Sequence, residues 1–270
     1  MKSPASDKHP RPLAQELGLV YALWRRDMLR LRGEPTRWIG VVLQPLLFWA
    51  IIGSGMGDSF QVAGVENLNY LQYFFPGILV MTVLFTAIFS TISVIEDRQL
   101  GFLQAVLVAP ASRFSLVVGK ILGVCSVAML QCLLLALVAP FAGYSVDSVS
   151  WPSLFGVLLL TCIGLTGVTL SMAWVFSSTQ AYHAIMSVLL IPLWVLSGSM
   201  FPRPDSWVTY VMNVNPMTYA TDAVRSALAP SQAVALGIAG DVAVWVVLVF
   251  AVLAVTLAIR ITRGAGGGND

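Results

Sequence analysis

Six stretches of about twenty apolar residues each constrain this chain more than any other feature. A helix needs about 20 mostly apolar residues to cross a hydrocarbon core. The stretches fall at about 38–57, 73–95, 114–139, 153–176, 183–201 and 237–259. Too little polar chain lies between them to coat a soluble globule. Of 270 residues, 57% are hydrophobic and only 10% are charged, against about 25% charged in a typical soluble domain. A soluble enzyme and a disordered chain are excluded. A formal net charge of +2 offers no basic field for nucleic acid. Cys125, Cys132 and Cys162 sit inside apolar stretches without metal-ligand spacing, so neither a zinc site nor a disulfide framework is expected. The expectation is an all-α polytopic membrane protein.

Lys and Arg placement orients the spans, because cytoplasmic loops carry the excess of positive charge. Segment 1–37 holds Lys2, Lys8, Arg11, Arg25, Arg26, Arg30, Arg32 and Arg37. Arg98, Arg113 and Lys120 follow the second span, and Arg260 and Arg263 follow the sixth. Loops 58–72 and 140–152 hold none, and loop 202–236 holds Arg203 and Arg225. Thus 13 of 15 basic residues fall on one side, which places both termini in the cytoplasm. Residues 1–33 lack an apolar h-region, so no cleavable signal peptide is expected. The domain plan is a cytoplasmic segment 1–37, a six-span domain 38–259 and a cytoplasmic tail 260–270.

Three pieces outside the spans carry pattern. Residues 12–33 read as an amphipathic helix with Leu13, Leu17, Tyr21, Trp24, Met28 and Leu31 on one stripe. It can lie on the bilayer and touch partners, serve only as a topology anchor, or do both. Segment 96–113 opens with charge, continues with Leu100, Leu103 and Leu107 on a helical stripe, and ends at Pro110, which cannot continue a helix. This short helix can rest on the membrane or plug into a soluble partner. Loop 202–236 is long but not hydrophilic. Asn215-Pro216 reads as a helix start, Met217, Ala220, Val224 and Leu228 form a stripe, Asp222 and Arg225 can pair, and Pro230 closes the helix. A semi-apolar outer loop of this kind suggests helices that dip back into the outer leaflet.

Several chemistries are missing. Ionisable residues deep in spans mark ion and proton paths. Here Lys120, His183 and Asp241 all fall near span ends, with Lys120 expected to snorkel to the interface. Gly119-Lys120 is followed by Ile121, so the P-loop pattern fails and the chain is not expected to hydrolyse ATP. A nucleophilic Ser197 or Ser199 would need a base within reach. His183 precedes Ser197 by fourteen residues on the same expected helix, about 21 Å away. Small residues instead favour close helix packing, as do the spaced pairs Gly53/Gly57 and Gly119/Gly123. Pro45 and Pro192 interrupt the first and fifth spans and are expected to kink them.

Two motifs carry a resemblance. The first is Asp97-Arg98-Gln99-Leu100-Gly101-Phe102-Leu103, continuing through Leu107-Val108-Ala109-Pro110-Ala111-Ser112-Arg113 to Gly119-Lys120. The second is Leu196-Ser197-Gly198-Ser199-Met200-Phe201-Pro202, then Asn215-Pro216-Met217-Thr218-Tyr219-Ala220 and Asp222-Ala223-Val224-Arg225. Together they resemble the permease subunits of type-2 ABC exporters, the group that includes permeases for daunorubicin-like drugs, nodulation factors and surface polysaccharides. The resemblance runs from the amphipathic helix to the sixth span. It departs at Gln99, where that family often carries an acid.

The resemblance implies roles. Glu96, Asp97, Arg98, Gly101, Phe102, Leu103, Leu107, Pro110 and Arg113 would form a coupling helix on a separate ABC ATPase. Ser197, Gly198, Phe201, Pro202, Asn215, Pro216, Tyr219, Asp222 and Arg225 would form a re-entrant outer gate. It implies a non-catalytic permease, a homodimer with two ATPase subunits that hold the ATP and magnesium, lipid but no nucleic acid as a partner, and a multi-pass place in the inner membrane. The cargo would be amphipathic: a drug, lipid or lipid-linked glycan. The rival reading is an ion-coupled secondary transporter with no ATPase. A scaffold that moves nothing is more distant.

Overall fold

The computed structural model describes residues 13–33, 35–56, 68–101, 112–236 and 239–264, and among these it is mainly helical, with no strand. Ten α-helices follow in order: α1 Leu13–Gly33, α2 Pro35–Met56, α3 Tyr70–Gln99, α4 Arg113–Ala136, α5 Trp151–Val175, α6 Thr179–Trp194, α7 Val208–Val214, α8 Pro216–Leu228, α9 Pro230–Ala235 and α10 Gly240–Gly264. Five helical stretches among the described residues are long and apolar enough to cross a membrane: α3, α4, α5, α6 with the turn after it, and α10. The apolar stretch of α2, Val42–Met56, is shorter.

Helix α3 is the axis of the bundle. It touches α2, α4, α5, α6 and α8, and its side chains are buried along most of its length. Asn69 starts it, accepting a hydrogen bond from Leu71 N at 3.1 Å. Pro76 lies within it and deprives the Gln72 carbonyl of its usual partner four residues on. The Tyr144 hydroxyl takes that place, donating to Gln72 O at 2.9 Å. Helix α2 docks where Gly53 meets Leu71 and where Trp49 Nε1 donates to Leu71 O at 2.9 Å.

The remaining helices close on this axis through small residues. Gly164 and Gly167 of α5 face Phe250, Ala251 and Ala254 of α10 so closely that an added Cβ would collide. Helix α10 turns Ala243, Val247, Ala251, Ala254 and Ala258 inward and leaves Val242, Trp245, Val249, Val252, Leu253 and Leu257 exposed. Small residues inside and large apolar ones outside invert the soluble pattern and suit a helix facing lipid. Leu122, Leu130, Leu133 and Leu134 of α4 and Ile185, Val188 and Leu189 of α6 extend the exposed apolar surface.

Helix α1 forms over Leu13–Gly33, where the sequence pattern predicts a helix. It lies along the first half of α4, but Leu17 and Tyr21 of the expected stripe are exposed. The inward face holds Val20 and Leu23 against Gly119, and Asp27 against Gly123. Trp24 Nε1 donates to Ser126 Oγ at 3.0 Å. The reason is steric and ionic: the two glycines open a groove that polar partners on α4 and α3 line, so the mixed face docks while Leu17 and Tyr21 stay exposed. Lys120 does not snorkel. It is buried and its ammonium donates to Asp27 Oδ2 at 2.8 Å and Ser93 Oγ at 2.7 Å.

Candidate functional site

The described residues of the two motifs lie towards the two ends of α3. Tyr73 and Asp97 stand 24 residues apart on it, about 36 Å at 1.5 Å per residue.

At the Asp97 end, α3 runs on through Gln99, so Glu96, Asp97 and Arg98 belong to it rather than to a separate helix. Leu100 N bonds to Glu96 O at 2.9 Å and Gly101 N to Arg98 O at 3.2 Å. Gly101 stands at φ +74, the left-handed cap that ends many helices and suits glycine. Leu100 is 81% exposed. The three charged residues expected to meet a partner directly are also engaged within the chain. Asp97 pairs with Arg26, and Glu96 Oε2 with Arg30 Nη2 at 2.5 Å. Arg98 donates to the carbonyls of Trp174, at 2.7 Å, and Phe176, satisfying the free end of α5. Gln99 Nε2 donates to Ser177 O at 2.8 Å, which a carboxylate at this position could not do. Ser112 caps α4, accepting from Ser115 N at 3.1 Å, and Arg113 opens it, half-buried. Phe102, Leu103, Leu107 and Pro110 lie outside the described residues.

At the Tyr73 end, helix α6 breaks. After Pro192 and Trp194 the stretch Val195–Ser199 is a widened, kinked turn with non-helical backbone at Leu196 and at Gly198, φ +72. Ser197, Gly198 and Ser199 are buried. The Ser197 and Ser199 hydroxyls both donate to Trp194 O, at 2.6 and 2.9 Å. Gly77 of α3 meets Ser199, whose Cβ would lie 2.2 Å from an added Cβ. Trp194 Nε1 donates to Gly77 O at 2.8 Å. The Tyr73 hydroxyl donates to Gly198 O at 2.8 Å, and that of Tyr70 to Met200 O at 3.2 Å. Phe201 is exposed and Pro202 half-buried.

Helix α8 seals this break. Asn215 Oδ1 accepts from Met217 N at 3.0 Å with Pro216 in the first turn. The same amide donates back to Leu193 O at 2.6 Å and Leu196 O at 3.3 Å. One side chain therefore starts α8 and satisfies carbonyls that the broken α6 leaves over. The half-buried Tyr219 donates to Asn213 O at 2.7 Å.

Arg225 is 4% exposed and packs over the Tyr73 ring, 4.5 Å from its centroid. It donates to Asp222 Oδ1 at 3.2 Å, Gly198 O at 3.1 Å and Tyr73 O at 3.3 Å. Arg203 reaches the other Asp222 oxygen at 2.5 Å. Burial pushes the Asp222 carboxyl above its ordinary range, and Arg225 and Arg203 pull it back. A guanidinium suits this place because its planar fork serves several acceptors at once. The arrangement is a polar lock between α3, the break and α8. Among the described residues no cluster could hold a metal.

The motifs pointed to Asp222 and Arg225 but not to Tyr73, Gly77, Trp194 or Arg203. Pro76 signals only a freed carbonyl at Gln72, which Tyr144 takes. Arg203 and Arg225 are also the two basic residues of their loop.

Residues 18–229 match the ABC-2 type transporter family. The chain belongs to the ABC-2 type transporter family. It is a transmembrane permease of an ABC transporter. It is 32% identical over 213 residues to the ycf38 transport permease of Cyanophora paradoxa, covering 76% of this chain and 72% of the relative. It is 24% identical over 231 residues to the daunorubicin resistance ABC transporter permease protein DrrB1 of Streptomyces coeruleorubidus, covering 82% and 78%. It is 24% identical over 254 residues to nodulation protein J of Neorhizobium galegae, covering 90% and 94%. As a permease with several spanning helices it is a multi-pass membrane protein.

Proposed function

We propose that this permease is the membrane half of an ATP-driven exporter. Two copies would pair as a homodimer in the inner membrane, each with six spans and both termini in the cytoplasm, and work with two separate ATPase subunits. ATP and magnesium belong to those subunits, and this chain catalyses nothing. The observation that carries the reading is the family match over 18–229. Contacts of Gly198 and Arg225 with Tyr73, and the presence of Glu96, Asp97 and Arg98 on the same buried helix α3, are in keeping with it.

Segment 96–113 is the coupling element. ATP binding and hydrolysis move the ATPase subunits, and that movement reaches α3 and α4 through this segment. At the far end of α3, the break at 195–199 and helix α8 form the outer gate, with Arg225 as its lock. The bundle has two packings, and the ATPase biases which one is populated. Pro76 lets α3 flex beside the gate, since the backbone there already lacks a helical bond. The cargo is amphipathic: a drug, a lipid or a lipid-linked glycan. The buried Lys120 is neutralised by Asp27, and the absence of ionisable residues from the middle of the spans in the sequence favours such a cargo over a small ion; the names of the daunorubicin-resistance and nodulation relatives are in keeping with it.

The test is a pull-down of the tagged chain from gently solubilised native membranes, assayed for ATP hydrolysis. A P-loop ATPase should co-purify. Leu103→Asp should abolish that while the chain still inserts, because a charge on the apolar stripe of the coupling element cannot enter an apolar groove without a partner. If no ATPase accompanies the parent chain, the reading gives way to the ion-coupled transporter.

A further inference from the structure

The ends of α3 and α4 that flank segment 102–111 are both held by one face of α1. On the α3 side Arg26 pairs with Asp97, and Arg30 Nη2 with Glu96 Oε2 at 2.5 Å. On the α4 side the Glu16 carboxylate accepts hydrogen bonds from the Ser112 and Ser115 hydroxyls. It does so at the helix N-terminus, where exposed N–H groups favour negative charge. Between these ends, Asp27 and Lys120 pair at 2.8 Å with side chains 14% and 9% exposed. Lys120 also reaches Ser93 of α3 at 2.7 Å, so this pair ties all three helices together. Gly119 and Gly123 let α1 approach α4 this closely.

Glu16, Val20, Leu23, Asp27 and Arg30 recur every three or four residues, so they share one face of α1. That face reaches from Ser112 to Glu96. A helix that merely anchors the chain to lipid needs its apolar stripe, and Leu17 and Tyr21 remain free for that. It does not need a second face whose acids and bases match those of two other helices in sign and position. The outer pairs are part-exposed and individually weak. The buried pair costs much if halved, so it fixes the register while the outer pairs set the angle.

We propose that α1 is a clamp that fixes the position of the α3 end relative to the α4 start, with Glu16, Arg26 and Arg30 as positioning residues for coupling. The proposal rests on the reading of segment 96–113 as the coupling element. If α3 and α4 could shift freely against each other, motion of a partner would be absorbed there. With both held on one rigid helix, the same motion turns the helices as a unit.

The experiment reverses one pair in the full chain: Arg26→Asp, Asp97→Arg, and the two together. The first readout needs no ATPase. Nitroxide labels on Leu100→Cys and Arg113→Cys report the distance between the two ends by dipolar EPR. The parent should give one narrow distribution, each single reversal should widen it at least twofold, and the double reversal should narrow it again. The second readout is ATP hydrolysis by the co-purified complex, which should fall at least threefold in each single reversal and recover in the double. Should a reversal prevent insertion, Arg30→Gln and Glu96→Gln carry the same comparison with smaller effects. Distributions unchanged in every variant, or widened in the singles and not narrowed in the double, would overturn the clamp. Distributions that follow the pairing while no ATPase co-purifies with any variant would uphold the clamp and sink the coupling reading instead.

Discussion

Two glycines on α3 and just past its end show how differently one residue type can be used. Gly77 lets the broken end of α6 touch the axis of the bundle, and an added Cβ would sit 2.2 Å from Ser199 Cβ. Gly101 has open space around it but stands at φ +74. Gly101→Ala therefore meets only backbone strain, about 1 kcal/mol. Gly77→Ala forces two packed segments apart and should cost about 1–3 kcal/mol. Thermal melting in detergent should rank Gly77→Ala as the more damaging, and Ser199→Gly in the same chain should restore part of the loss. Equal melting of the two alanine variants would contradict the close contact. At this scale the sequence was only half legible. Asp222 and Arg225 announced themselves by spacing. Tyr73, 152 residues from Arg225, did not, because a side chain that meets a distant carbonyl leaves no local period.

Elements were more legible where their ends are chemically marked. Asn215-Pro216 reads as a helix start, and α8 begins there with the amide of Asn215 as its cap. The sequence did not show that this amide also donates to Leu193 O and Leu196 O. Asn215→Ala should lose the cap, about 1 kcal/mol, and leave two carbonyls short of a partner, about 1–3 kcal/mol more. Asn215→Ser should keep the cap and lose only the rest, so it should melt above the alanine variant. If serine and alanine melt alike, the cap contributes nothing. Helix α1 is the converse case. Its apolar stripe was plain in the sequence, yet the docked face is the one carrying Glu16, Asp27 and Arg30. An apolar stripe identifies the face that avoids water, and in a membrane protein lipid satisfies that as well as protein does. The end of α3 moved for a similar reason. Charged Glu96 to Gln99 looked like the start of a new piece, but their pairing within the chain lets the helix run on to Gln99.

At the scale of the whole molecule, composition already excluded a soluble fold, and large apolar residues on the outer faces of α4, α6 and α10 agree with that. Five helical stretches long enough to span among the described residues and a family match over most of the chain make it a permease. The account of how it works turns on α3, which carries the candidate coupling residues at one end and the partners of Arg225 at the other. On the proposed reading the work done at the coupling end comes from a separate ATPase, and Leu103 meets it. The most direct measurement is photo-crosslinking in native membranes from a photoreactive residue placed at Leu103, with the exposed Tyr210 of α7 as the control position. The account predicts a crosslink from position 103 to a P-loop ATPase and none from position 210. Crosslinks from position 103 to lipid alone would contradict it.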